Sequence, residues 1–270
     1  MKFIRTMISL AMVSTMAFSY NDTKVFQKIE RDLDSIIVKD LNKKQLIFQK
    51  DANQLVSPAS LTKIMTAILA IESGKMNKIV TITPEMKKVE PTILNFRVGE
   101  KFYLKDLVNA ILIKSANDAA TAIAIYLGDG SKEKFVSMMN WRAKKLGMNS
   151  TNFQNPCGFD AKNHKSTASD LLKLTEYAIK NTTFNNIVKM NAYSFQAINT
   201  KRVYRIHTSN KLLDREKYVI GVKTGFTNQA GPCLIARGKK NNKDVLLVML
   251  NAQNRWENTK LALNTVLNQK

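Results

Sequence analysis

The order in which helical and strand patterns follow one another constrains the fold of this chain more than any other feature. Apolar residues recur with a helical period through the middle of the sequence, and we predict helices at 60–72, 104–113, 117–127, 132–146 and 169–180. Strand patterns lie on both sides, at 35–40, 45–49, 218–223, 232–237 and 245–251. The chain is therefore predicted to be an α/β protein of the α+β class, in which an antiparallel sheet built from remote parts of the chain is flanked by helices and carries an inserted all-helical lobe.

Two more helices are predicted at the ends of this arrangement. One covers 25–33, and on the closing helix Trp256, Leu263 and Leu267 share one face. We expect that face to lie in the core rather than on a membrane, because its flanks lack a dense basic face. The cleft between the sheet and the helical lobe is where a ligand is expected to bind.

The composition is that of a globular chain with a strongly basic surface. Of 270 residues, 44% are hydrophobic, and 42 Lys+Arg against 21 Asp+Glu give a net charge of +21. This apolar content excludes a disordered or collagen-like chain, and two Cys are too few for a disulfide scaffold. The charge alone leaves three classes open: a nucleic-acid binder, a protein that works at an anionic surface, and a secreted enzyme.

The first 19 residues have the pattern of a secretory signal peptide. Lys2 and Arg5 precede an uncharged run at 7–18, and small side chains lead to an expected cleavage after Ser19. A buried helix or a membrane anchor is the alternative, but the run is shorter than the roughly 20 apolar residues of a spanning helix. We expect an exported, periplasmic or otherwise extracytoplasmic protein with a net charge of +19, no membrane attachment and no nucleic-acid partner.

The cysteines and histidines do not predict a metal or a cofactor. Cys157 and Cys233 are equally compatible with a disulfide and with two buried thiols, and we expect thiols. His164 and His207 belong to no spaced ligand set.

Ser60-x-x-Lys63 places a hydroxyl at the start of a predicted helix and an amine on the same face three residues later. A serine becomes a strong nucleophile when a base removes its proton, and a lysine can be that base once burial or a nearby cation has made it neutral. The same spacing recurs at Ser131 and Lys134, where a helix cap and a surface lysine are expected. Ser60 alone has the same alternative interpretation as an N-cap.

Two further short motifs carry polar groups. Ser115-x-Asn117 lies between two predicted helices, where it can relay a proton and bind an amide, or where Asn117 can simply cap the next helix. Lys223-Thr224-Gly225 ends a predicted strand, where it can bind a carboxylate beside an extended peptide or form an ordinary strand exit.

The three motifs together, in this order, form the motif set of penicillin-binding proteins and serine β-lactamases. Over about 35–251 the chain resembles the low-molecular-mass penicillin-binding proteins, the serine-type D-alanyl-D-alanine carboxypeptidases of peptidase family S11. The resemblance rests on SPASLTKIMTA at 57–67, KSANDAA at 114–120, NPCGF at 155–159 and VKTGFT at 222–227. It implies a β-lactamase/transpeptidase-like catalytic domain over 20–270, without the C-terminal β domain of larger relatives.

The resemblance also implies a role for each site residue. Ser60 is expected to form the acyl-enzyme, with Lys63 as its base and Ser115 and Asn117 beside them. Lys223, Thr224, Gly225 and Phe226 are expected to bind the substrate, with the backbone N–H groups of Ser60 and Phe226 as the oxyanion hole. The implied partners are peptidoglycan stem peptides ending in D-Ala-D-Ala, β-lactams as covalent inhibitors, and anionic envelope polymers.

Three rival functions are weighed against the carboxypeptidase. A class A β-lactamase needs a deacylating Glu, and no Glu between Asn117 and Lys223 lies in a Glu-x-x-Leu-Asn setting. A D,D-endopeptidase that cuts cross-links is the closer alternative. A non-catalytic module that binds wall polymers through its charge does not need the Ser60, Lys63 and Lys223 set.

Overall fold

The computed structural model describes residues 20–89 and 91–269, so the predicted signal peptide lies outside the described residues. In chain order, the strands are β1 (Ser35–Asp40), β2 (Gln45–Lys50), β3 (Ile79–Thr81), β4 (Lys101–Tyr103), β5 (Ala192–Gln196), β6 (Val203–His207), β7 (Val219–Thr227), β8 (Gly231–Lys240) and β9 (Lys243–Leu250). The helices are α1 (Tyr20–Ile29), α2 (Lys63–Glu72), α3 (Leu104–Ile113), α4 (Asn117–Leu127), α5 (Lys132–Lys145), α6 (Ala168–Ala178), α7 (Thr182–Ile187), α8 (Lys211–Arg215) and α9 (Arg255–Leu267).

An antiparallel sheet joins the two ends of the described chain, in the order β2-β1-β9-β8-β7. Strand β1 pairs with β9 along its whole length, from Ser35 opposite Leu250 to Asp40 opposite Val245. The predicted sheet of remote segments is thus confirmed. Strand β7 forms one edge of this sheet, and β8 is its neighbour.

The central strands are buried on both faces, because their side chains alternate between two cores. In β9, one set of alternating residues packs with α1 and α9, and the other set packs with the helical lobe. Leu263 and Leu267 of α9 are fully buried in the first of these cores, which confirms that this helix belongs to the core. No helix of the described residues has the length and apolar character needed to cross a membrane.

The centre of the inserted lobe is built from α2, α3 and α4, whose residues are mostly buried. Helices α2, α3 and α4 contact one another, and α5 packs on α2 and α4. Most residues of α2 and α4 are buried, as expected for helices at the centre of a domain. The predicted limits of α3 and α4 agree with the structure.

Two predicted limits were wrong where the site begins. The helix predicted from Ser60 starts as a 3-10 turn at Ala59–Thr62, and α2 follows from Lys63. The strand predicted to end at Lys223 continues to Thr227, so the Lys-Thr-Gly motif lies inside β7. Gly225 does not break the strand, because it stays paired with Cys233 of β8. The hairpins β3–β4 and β5–β6 are additional to the prediction.

Candidate active site

Ser60 lies in the 3-10 turn that leads into α2, and its hydroxyl contacts the predicted base. The Nζ atom of Lys63 is 2.9 Å from Ser60 Oγ. The interpretation of Ser60 as an N-cap is wrong, because neither the turn nor α2 has a side-chain capping bond. The three-residue spacing therefore brings amine and hydroxyl together, as the sequence predicts.

Two glycines allow the chain to approach this turn closely. A Cβ at Gly158 would lie 1.8 Å from the carbonyl oxygen of Ala59, and one at Gly225 would lie 3.1 Å from Ala59 Cβ. Gly158 also has a φ of +88°, which favours glycine. The turn that carries Ser60 is thus fixed between the loop at 155–159 and β7.

Lys63 is fully buried and is held by two oxygen atoms. Its Nζ donates to the carbonyl of Cys157 at 2.6 Å, besides its contact with Ser60 Oγ. Burial lowers the pKa of Lys63 from 10.5 to about 8, because the charged ammonium loses its hydration. Nearly a tenth of the molecules therefore carry a neutral amine at pH 7, compared with less than a thousandth for a free lysine.

Lys223 is a second buried lysine, and Thr224 beside it is also buried. Lys223 Nζ donates to the carbonyl of Thr224 at 3.0 Å. Its pKa lies well below 10.5, first because of burial and then because of the positive charges of Lys63 and Arg255. The charge of Lys63 thus disfavours a charge on Lys223, whereas the lowered pKa of Lys63 itself is due to burial.

Thr224 is oriented from the helical side of the cleft. Its Oγ1 lies 2.6 Å from Ser209 Oγ, and the Ser209 N–H donates to the carbonyl of Ile113 at the end of α3. Behind β7, Arg255 donates to the carbonyl oxygens of Gly225 at 2.6 Å and Cys233 at 3.1 Å. Arg255 therefore links α9 to the strand that carries the motif.

Ser115 lies in the turn between α3 and α4, Asn117 is the first residue of α4, and both are buried. Ser115 has a φ of +69°, a backbone conformation that residues other than glycine rarely adopt. The Asn117 side-chain amide donates to the carbonyl of Pro91, and its backbone N–H donates to the carbonyl of Thr92 at 2.8 Å. The capping interpretation of Asn117 is wrong, because α4 has no side-chain cap.

The loop at 155–159 is shaped by Asn155 and supported by His164. Asn155 Oδ1 accepts the backbone N–H groups of Cys157, Gly158 and Phe159 at 3.2, 2.7 and 2.9 Å. His164 Nδ1 accepts the N–H of Gln154 at 3.0 Å, so the neutral ring carries its proton on Nε2 and donates to Thr62 Oγ1 at 2.9 Å. Burial lowers the pKa of His164 to about 4.

These elements enclose a cleft of about 290 Å³. It brings together Ser60, Asn117 and Phe226 of the predicted site, and it is also lined by Pro91, Thr92, Cys157, Gly158, Phe159, Asp160, Thr227 and Asn228. Both cysteines are buried free thiols, as expected. Within the described residues, no three His, Cys, Asp or Glu side chains are grouped to hold a metal ion.

Sequence reasoning missed the supporting residues of this site. Asn155 is part of a quoted motif, but its three backbone contacts depend on the loop conformation. From the sequence, His164 was considered only as a metal ligand, and Arg255 was not considered. The His164–Thr62 and Arg255–Gly225 contacts join residues 102 and 30 positions apart, and Asn155 acts through a local turn, so no spacing rule could reveal them.

The geometry is suited to acyl transfer. A serine hydroxyl in contact with a buried amine of lowered pKa has the two parts of an activated nucleophile. A second buried lysine, Lys223, lies next to it, and an anionic substrate group would favour the charged form of Lys223.

The sequence of this chain is similar to those of known proteins. The family model described as D-alanyl-D-alanine carboxypeptidase, peptidase S11, matches residues 22–254. The carboxypeptidase DacF of Bacillus subtilis is 31% identical over 252 residues, which are 91% of this chain and 64% of that protein. The D-alanyl-D-alanine endopeptidase of Escherichia coli is 33% identical over 228 residues, 81% of this chain and 71% of that protein.

Solved structures agree with the sequence comparison. The Streptomyces K15 DD-transpeptidase superposes with a TM-score of 0.82 and 26% identity, covering 87% of this chain and 96% of that one. The predicted β-lactamase/transpeptidase-like fold is thereby confirmed. The chain spans slightly less than two thirds of the length of the B. subtilis relative.

Proposed function

The chain belongs to the D-alanyl-D-alanine carboxypeptidase family, peptidase S11, and we propose that it is a serine D,D-carboxypeptidase that removes the terminal D-alanine from peptidoglycan stem pentapeptides. The observation that carries this proposal is the 2.9 Å contact between Ser60 Oγ and the fully buried Lys63 Nζ. This pair supplies a nucleophile and a base without a cofactor or a metal.

Acylation begins when Ser60 Oγ attacks the carbonyl carbon of the penultimate D-alanine and its proton passes to neutral Lys63. The backbone N–H groups of Ser60 and Phe226 stabilise the resulting oxyanion. The C–N bond then breaks, and the leaving D-alanine amine takes the proton from Lys63, assisted by Ser115. Asn117 binds the substrate amide. To do so, its side-chain amide gives up its hydrogen bond to the Pro91 carbonyl and forms one with the substrate.

Deacylation repeats the proton transfers with water as the nucleophile. Lys63 takes a proton from water as the oxygen attacks the ester carbonyl, and it returns the proton to Ser60 Oγ as the ester C–O bond breaks. The released stem peptide is shorter by one D-alanine.

Lys223 and Thr224 bind the terminal carboxylate of the substrate, and this binding also prepares the base. A carboxylate next to Lys223 favours the charged form of Lys223. A charged Lys223 in turn disfavours a second charge on Lys63, because like charges in one cleft repel each other. The substrate thereby helps to keep the base neutral.

The test is D-alanine release from a stem pentapeptide by purified protein, with a fluorescent penicillin as the active-site label. Release of one D-alanine per peptide and covalent label on Ser60 are expected, since β-lactams are the proposed covalent inhibitors. Full labelling of a Ser60→Ala variant would refute the mechanism.

A D,D-endopeptidase is the second candidate, because the similar E. coli protein carries that name. Digestion of cross-linked muropeptides separates the two functions. Monomeric products would favour the endopeptidase, whereas intact dimers that have lost only terminal D-alanine would favour the carboxypeptidase.

We also propose that the protein acts outside the cytoplasm, next to anionic envelope polymers. The leader pattern at residues 1–19 and the net charge of +21 support this location. Mass spectrometry of the exported protein should find that residues 1–19 have been removed by cleavage after Ser19. Polymer binding should weaken as salt rises, because exposed charges are screened.

A further inference from the structure

Asp160 supplies the acidic side chain among the described residues that line the cleft. Its carboxylate is fixed by the end of β7: Oδ1 accepts from Thr227 Oγ1 at 2.7 Å, and Oδ2 accepts from the Gln229 N–H at 3.2 Å. Asp160 is exposed, and it takes part in no salt bridge within the described part of the chain. This carboxylate is thus ordered and uncompensated, in a chain with two basic residues for each acidic one.

The free edge of β7 determines which part of a substrate reaches Asp160. A peptide that pairs antiparallel with β7, with its terminal carboxylate at Lys223 and Thr224, extends in its N-terminal direction towards Thr227. Successive residues advance by about 3.3 Å along a strand. If the scissile carbonyl faces the Phe226 N–H, the residue before D-alanyl-D-alanine lies opposite Thr227.

The side chain of that substrate residue lies on the same side of the strand pair as Thr227, because directly opposed residues of antiparallel strands share a face. The Thr227 side chain itself contacts Asp160. A long substrate side chain at this position therefore extends towards the Asp160 carboxylate.

The charge of Asp160 is opposite to that of the other ionisable groups around the nucleophile. Lys223 is placed to bind the anionic end of a substrate, and Arg255 adds positive charge behind β7. A carboxylate attracts an ammonium group and repels another carboxylate. We propose that Asp160 is a specificity-determining residue that binds the side-chain ammonium of the substrate residue preceding D-alanyl-D-alanine. This subsite rests on the proposed function.

The test compares two tripeptides that differ in one charge, Nα-acetyl-L-lysyl-D-alanyl-D-alanine and its Nε-acetylated form. At low salt the wild-type protein should cleave the free-amine peptide with about fivefold higher kcat/KM, the size expected for a partly exposed ion pair. Asp160→Asn should reduce this ratio to about one. Asp129→Asn is the matched control, because it removes the same charge from an exposed site paired with Lys134, outside the cleft, and should leave the ratio unchanged.

Three results would overturn the subsite. Equal cleavage of both peptides by the wild-type protein would refute it and leave the carboxypeptidase function intact. An equal loss for both peptides in Asp160→Asn would assign Asp160 only to tethering the loop to β7. Penicillin labelling of Ser60 without D-alanine release from either peptide would refute the proposed function, and the subsite with it.

Discussion

Two segments of this chain have the same Ser-x-x-Lys spacing but different surroundings. Lys63 is fully buried, and its amine contacts Ser60 Oγ. Ser131 is instead the N-cap of α5, where its Oγ accepts the Lys134 N–H at 3.1 Å. The Lys134 side chain is 57% exposed and forms a salt bridge with Asp129. Only the first segment therefore has an amine in contact with the serine hydroxyl.

The comparison shows that burial, rather than spacing, creates the reactive pair. The amine of Lys134 is largely exposed to water and has a carboxylate partner, Asp129. Lys63 has lost its water and has gained only neutral oxygen partners and a neighbouring cation. The same two residue types thus form a helix cap at one site and, in the proposed mechanism, a nucleophile with its base at the other.

The largest effect is expected from removing each serine in turn. Ser60→Ala should lower D-alanine release by at least about 1,000-fold and abolish penicillin labelling, because it removes the hydroxyl that contacts Lys63. Ser131→Ala should leave activity unchanged and cost about 1 kcal/mol of unfolding free energy, the usual value of an N-cap. Both variants are compared by steady-state kinetics and urea unfolding. Label that persists on Ser60→Ala would place the nucleophile elsewhere.

Removing each lysine in turn should give the next largest effect. Lys63→Met should lower acylation by about 100- to 10,000-fold, the usual contribution of a general base. Its thermal midpoint should equal or exceed that of the wild type, because a buried amine is replaced by an apolar chain of similar length. Lys134→Met should leave acylation unchanged. An active Lys63→Met protein would show that another group removes the serine proton.

The sequence predicted the segments whose signals are local. Periodicity predicted the limits of α3 and α4 and the existence of the core strands β8 and β9. Spacing predicted the motif residues Ser60, Lys63 and Asn117. The closeness of Ser60, Asn117 and Phe226 depends on the pairing of β1 with β9 and on the insertion of the lobe, which are long-range events. The supporting contacts of His164 and Arg255 are tertiary, so no local pattern could predict them.

His164 is a further difference between the two segments, because its hydrogen bond to Thr62 supports the turn that carries Ser60. Its folded-state pKa is lowered from 6.5 to about 4, so the unfolded chain binds a proton in this range and the folded protein does not. Stability from the neutral ring is fully present above pH 6.5 and is lost as the pH falls towards 4. Wild-type protein should lose about 3 kcal/mol of unfolding free energy across this window.

Two variants isolate this contribution. His164→Gln can accept from Gln154 and donate to Thr62 without titrating, so the extra loss between pH 6.5 and 4 should disappear while activity at pH 7 is largely retained. His164→Leu leaves both partners unsatisfied and should cost about 1–3 kcal/mol at pH 7. A wild type and a His164→Gln variant with the same pH dependence would show that His164 does not titrate in this way.

The most direct test of the difference between the two segments is the rate at which penicillin acylates Ser60 as a function of pH. Because the neutral Lys63 amine is the proposed base and its pKa is about 8, the second-order rate constant should rise roughly 100-fold between pH 6 and pH 9. The increase should level off above about pH 8. A rate that stays constant from pH 6 to 9 would contradict the account, because the serine would then react without a lysine base made neutral by burial.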